Sequence, residues 1–219
     1  EARALTEAEL VKLLEAARTR PLIHARTIYR GENKGKLFAK VPDHRRRELE
    51  RLGRERALIY KTLVLTGLRA NELRTLTVGD LLFKEVPSIK LKHSNEKNRA
   101  GSEIALRLDL AADLRKWVTD RNRADRVFTV PDGILKILNR DLKAAGIEKT
   151  VDDRVVHVHA LRHSFGTHLS MAGVAPRVAQ AAMRHSNIAL TMGTYTDARL
   201  LDTAQAVEAL PSLPIADDT

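Results

Sequence analysis

A chain of 219 residues is enough for one large domain or two small ones, and a 43% hydrophobic share lets it bury a real core; only 4% is aromatic, so that core must be Leu, Ile, Val and Ala, which suits helices. The 38 basic residues outnumber the 28 acidic ones, a net charge of +10, which favours a polyanionic partner such as nucleic acid or an acidic membrane surface. The absence of cysteine excludes disulfides, thiolate zinc sites and cysteine catalysis, and there is no apolar run of the roughly 18 residues a membrane span needs.

No signal peptide opens the chain, so a soluble, cytoplasmic location is the default expectation. The first residue is Glu1 rather than Met, which points to a fragment or a processed chain. Thr6-Glu7-Ala8-Glu9 is a capping box, and a short helix burying Leu10, Leu13 and Leu14 should follow. From Arg20 to Arg47 the helical pattern is lost among Pro21, Gly31, Gly35, Pro42 and many basic residues. That stretch (20–47) reads as a basic surface insertion, either a solvated loop or a DNA-contacting arm. A longer helix is expected from about Arg45 to Thr66, with Leu58, Ile59, Thr62, Leu63 and Leu65 on its buried side and Gly67 as its stop.

Next comes Thr66-Gly67-Leu68-Arg69-Ala70-Asn71-Glu72-Leu73, which puts an arginine at a helix junction with Glu72 three residues on, able to orient it. Taken alone, such a pair is more often a surface ion pair worth little. Ser88–Lys92 and Glu103–Leu108 alternate polar and apolar residues, as half-buried strands do, and the polar turn between them makes a β-hairpin with Lys97 near its tip. Asp109 should cap a helix over Leu110, Leu114, Trp117 and Val118, and Asp132 another over Ile134, Leu135, Leu138 and Leu142, closed by Gly146. The predicted fold class is therefore mainly α with one small antiparallel sheet (α+β).

The last third carries the chemistry. In His157-Val-His-Ala-Leu-Arg-His-Ser-Phe-Gly-Thr-His-Leu169, His159 and Arg162 share a helix face, while Leu161, Phe165 and Leu169 form a separate buried stripe. A helix start carrying His and Arg can seat a phosphate. This helix should end at Gly173, and Pro176 suits the first turn of the next. His185 follows, then Tyr195 at the end of a short helix, then a tail helix over 198–210. These are parts for phosphoryl transfer with tyrosine as nucleophile.

In this order the motifs resemble the catalytic domain of tyrosine recombinases, the phage-integrase family, over about Leu5 to Leu210. The resemblance implies that fold for residues 1–219 and a site made of Arg69, Lys97, His159, Arg162, His185 and Tyr195. It further implies site-specific cleavage and rejoining of DNA through a 3′-phosphotyrosyl intermediate, without cofactor or metal. The implied partners are double-stranded DNA with paired half-sites and further copies of the chain in a tetrameric synapse, in a bacterial or phage-encoded, nucleoid-associated protein. The family's N-terminal DNA-clamping domain is expected to be absent from this chain. Arg184 stands where the family usually has glycine, the gap from His185 to Tyr195 is one residue longer than the family's commonest spacing, and the hairpin after Lys97 is about one residue longer than usual, which keeps Lys92 open as the lysine.

Two arginines, Arg69 and Arg162, can neutralise charge building on the non-bridging oxygens of a phosphodiester. His159 can act as base for a phenol whose ordinary pKa is near 10, His185 can donate to the phosphoryl group, and Lys97 can protonate the leaving 5′-oxygen. A zinc pair at His159 and His163 lacks the glutamate of a metalloprotease after the first histidine, and His157, His163 and His168 read as core or surface residues. A type IB topoisomerase-like enzyme or a helix-turn-helix regulator built on the helices around Gly173 would be the alternatives.

Overall fold

A computed structural model describes residues 1–92, 101–189 and 191. The helices are α1 (Glu7–Arg26), α2 (Asp43–Thr66), α3 (Ala70–Thr75), α4 (Leu108–Trp117), α5 (Ile134–Ala144), α6 (Val158–Met171) and α7 (Pro176–Met183). The strands are β1 (Leu81–Leu82), β2 (Ser88–Leu91), β3 (Ser102–Ala105), β4 (Thr150–Val151) and β5 (Arg154–Val155). Predicted Lys97, Tyr195 and the tail helix lie outside the described residues.

α2 is the axis of the molecule, with α1 along it and α4 and α6 against it. Gly53 permits the α1–α2 contact, because a Cβ there would stand 1.9 Å from the Arg18 carbonyl oxygen. The aliphatic core runs from Leu13 and Ala17 through Leu58, Ile59 and Leu63 to Leu110, Leu138 and Leu161. The capping box at Thr6 forms with both of its bonds.

α1 is not short. It continues through Pro21 to Arg26, so the irregular basic stretch shrinks to residues 27–42. A proline inside a helix removes a backbone bond and ordinarily breaks it. Here Pro21 is buried, and its neighbour Arg20 pairs with the fully buried Asp141 on α5, so tertiary docking holds the turn. The same carboxylate accepts from the Tyr60 hydroxyl at 2.8 Å, and Tyr60 is fully buried. Burial, then the Asp141 charge, push that phenol far above its ordinary range.

The predicted hairpin is present, with Ile89 opposite Ile104 and Leu91 opposite Ser102, and β1 adds a third antiparallel strand. Leu108, placed in a strand by its alternation, instead opens α4. Asp109 does not cap α4: the N-cap is Arg107, whose Nε donates to Asp109 at 2.9 Å, and Lys61 Nζ is 3.0 Å away on the other side. Those charge-assisted bonds, Arg107 first, hold Asp109 down at about 2. Asp132 does not cap α5 either; Gly133 does, while the exposed Asp132 faces Arg74 at 3.4 Å.

The loop before the histidine-rich helix proves to be a second hairpin, β4–β5, not predicted. Its two central residues, Asp152 and Asp153, both have positive φ, as a two-residue β-turn of that hand needs. The chain start pairs beside it, Ala2 against Val155. Leu5 N–H then donates to Ser164 Oγ and Leu5 O meets His168 Nε2, both at 2.9 Å, so the first residues brace α6. α6 ends at Met171, two residues short of Gly173, and Pro176 opens α7 as expected.

Candidate active site

Four helix ends meet at one place. The C-terminus of α2 turns at Gly67, in left-handed conformation (φ 61°, ψ 21°), straight into Arg69, the N-cap of α3. A Cβ on Gly67 would lie 2.5 Å from Cδ1 of Phe165 on α6, so glycine serves both the backbone turn and the close approach of that ring.

Arg162 comes from the second turn of α6 and is 2% exposed. Its guanidinium donates to Gly67 O at the end of α2 and to Met183 O at the end of α7. Carbonyls at helix C-termini lack intrahelical donors and carry the negative end of the helix dipole, which is how this cation is accommodated inside the protein. Arg69 projects from the junction. Its Nη1 donates to Glu72 Oε1 and its backbone N–H to Glu72 Oε2, both at 2.8 Å. Glu72 is 2% exposed, so this is no surface ion pair. Burial opposes its ionisation, but the bonds from Arg184 and Arg69 prevail and hold its carboxyl below the ordinary value.

His159 lies in the first turn of α6, its ring stacked near His157 with 6.3 Å between centroids. Desolvation of the ring, then the charges of Arg162, His157, Arg69 and His163, lower its pKa. One edge stays exposed, so water screens part of that effect. His185 follows α7 and is pushed down to about 4, by burial first and then by Arg162, Arg69, His159 and Arg184. Its Nδ1 is 3.0 Å from Thr191 Oγ1. Both imidazoles are thus neutral near pH 7, the state in which one can accept a proton and the other donate a neutral hydrogen bond.

Of the six predicted site residues, Arg69, His159, Arg162 and His185 therefore come together, while Lys97 and Tyr195 lie outside the described residues. The alternative lysine, Lys92, directly follows β2, with its side chain exposed and its ammonium 3.5 Å from Asp80. His163 is buried, and His168 is tied to the Leu5 carbonyl. Arg184, a departure from the expected pattern, joins the cluster through Glu72. Among the described residues no group of three or more His, Asp or Glu side chains could hold a metal ion, and no helix is long and apolar enough to cross a membrane.

A model of the phage integrase family matches residues 47–200. A tyrosine recombinase of Pseudothermotoga lettingae is 30% identical over 141 residues, covering 61% of this chain and 46% of that protein. The chain spans about half the length of the first curated relatives it matches. Among solved structures, the catalytic domain of bacteriophage HP1 integrase superposes with a TM-score of 0.59 at 22% identity, covering 95% of each chain. XerH site-specific recombinase, solved bound to its difH substrate in a pre-cleavage complex, gives 0.59 at 18% identity over 94% of this chain and 52% of that one.

Proposed function

The chain belongs to the phage integrase family, and we propose that it is the catalytic domain of a site-specific DNA recombinase working through a 3′-phosphotyrosyl intermediate. The observation that carries this is the meeting of Arg69, Arg162, His159 and His185 at four helix ends, two cations beside two neutral imidazoles. That set suits a phosphodiester in flight: the arginines offset charge growing on the non-bridging oxygens, and His185 adds a hydrogen bond. Tyr195 Oη attacks phosphorus, His159 takes the phenolic proton, and the bond to the 5′-oxygen breaks as Lys97 protonates it. The reverse steps rejoin a strand. Bond energy is kept in the phosphotyrosine, so no external energy source is needed.

On this reading the partner is duplex DNA carrying paired half-sites, recognised largely through its phosphates. Residues 26–54 hold ten Lys and Arg against four Asp and Glu, a net +6 out of the chain's +10. They span the last residue of α1, the 27–42 loop and the first half of α2, and we assign them to the DNA backbone. Residues 198–210 would dock on a neighbouring protomer and couple sites in a tetrameric synapse. A separate N-terminal clamp, as in the family, would supply the rest of the grip.

The chain has three tyrosines, so the nucleophile is directly testable. Tyr195→Phe should abolish covalent attachment to a nicked duplex and leave binding within about twofold, since only the attacking oxygen is lost. Tyr60→Phe should still form the adduct, because its hydroxyl is bonded to Asp141 in the core. Tyr29 is 54% exposed in the basic loop, at the other end of α2 from the site. A nucleotide recovered on Tyr29 or Tyr60, or an undiminished adduct in Tyr195→Phe, would sink the mechanism.

A further inference from the structure

The backbone and side chain of Arg184 pull in opposite directions. α7 closes with His185 N–H bonded to Gln180 O at 3.1 Å and Arg184 N–H bonded to Ala181 O at 3.0 Å. This two-bond ending forces its pivot residue into left-handed conformation and selects glycine there. α5 ends the same way, through Ile147 N–H to Leu142 O and Gly146 N–H to Lys143 O, and its pivot is Gly146. In α7 the pivot is Arg184, at φ 53°, ψ 44°. A residue with a Cβ is destabilised in that region, and such residues cluster where function holds them.

The side chain offsets the strain. Arg184 turns inward until 9% of it is exposed, with Nη2 2.8 Å from Glu72 Oε2 and 3.5 Å from Gly67 O. Glu72 is the carboxylate that orients Arg69, and Gly67 O is the carbonyl that receives Arg162. One guanidinium therefore reaches both groups that hold the two site arginines. Its own residue immediately precedes His185.

We infer that Arg184 is a positioning residue: clamped on Glu72 and the Gly67 carbonyl, it locks the turn that bears His185 to the junction that bears Arg69. The phosphoryl site is thereby set by three arginines, two facing the substrate and one behind them. This rests on the reading of Arg69 and His185 as phosphate-binding groups. It also accounts for an arginine at a turn that favours glycine. The groups acting on the His185 ring are Arg162 and His159 from α6, Arg69 from the α2–α3 junction and Arg184 from its own turn, with Thr191 at Nδ1.

The test uses the full chain with Arg184→Gly, which relieves the backbone and removes the clamp, and Arg184→Lys, which keeps the charge but not the planar fork. His185 is titrated by NMR in the free protein, and covalent attachment to a nicked duplex is timed at saturating DNA. In Arg184→Gly, His185 should titrate at higher pH than in the parent, and attachment should slow by about tenfold or more with affinity changed less than about threefold. Arg184→Lys should recover part of the His185 shift. Unchanged titration and rate in Arg184→Gly would overturn the inference and leave Arg184 a packing residue. A parent that forms no covalent complex would instead sink the functional reading, while the His185 titration would still decide whether Arg184 sets that ring.

Discussion

Gly67→Ala tests the helix junction on which both site arginines depend. Two costs add. An alanine at φ 61° sits in the left-handed region, which costs about 1–2 kcal/mol. Its methyl would also lie 2.5 Å from Cδ1 and 3.0 Å from Cε1 of Phe165, and forcing a ring aside in a packed interior costs a further ~1–3 kcal/mol. Gly146→Ala is the matched control: φ is 66° at the end of α5, and a Cβ there meets nothing within 4 Å. It should lose only the backbone share, about 1–2 kcal/mol. Urea titrations of both variants, read from midpoints at a common slope, give the comparison. Gly67→Ala should also slow DNA cleavage more than Gly146→Ala. Phe165 stands three residues after Arg162 on α6, so moving the ring tilts the guanidinium away from Gly67 O. Equal losses, within about 0.5 kcal/mol, would refute the claim that the ring and the turn are packed against each other.

Neutralising Arg30, Lys34 and Lys40 together, each to Gln, should flatten the dependence of log affinity on log salt by up to about 0.9 per lost phosphate contact. A slope equal to the parent's would show that the 27–42 loop stays off the DNA. Stability should also respond to mild acid. His159, His163 and His185 all bind protons less readily in the fold than at their ordinary value of 6.5. The unfolded chain therefore takes up protons first: their contribution is fully present above about pH 6.5 and is lost as pH falls toward the folded values, about 4 for His185. Glu72 and Asp109 are held low and titrate later, so denaturant midpoints falling between pH 6.5 and 4.5 report the histidines. A flat midpoint across that window would contradict the lowered affinity of these histidines for protons in the fold.

Much of this protein was legible in its sequence because the signals act over one helical turn or one strand pair. The Thr6–Glu9 capping box, the stop at Gly67, the alternation of Ser88–Leu91 and the proline opening α7 each depend on bonds to near neighbours. His159 and Arg162 share a face for the same reason, and the ordered motifs marked Arg69 and His185 as their company. Tertiary structure decided what depends on residues far apart in the chain. α1 passes Pro21 because Arg20 meets Asp141, 121 residues away. Asp109 falls inside α4 rather than at its cap, where Lys61 of α2 pairs with it. Tyr60 is tied down in the core by a carboxylate 81 residues on. Arg184 looks from sequence like a poor fit for its turn, and becomes intelligible only when Glu72, 112 residues earlier, supplies the buried charge that holds it there. Local hydrogen bonding writes itself into neighbouring residues; the pairing of buried charges is settled only when the helices pack.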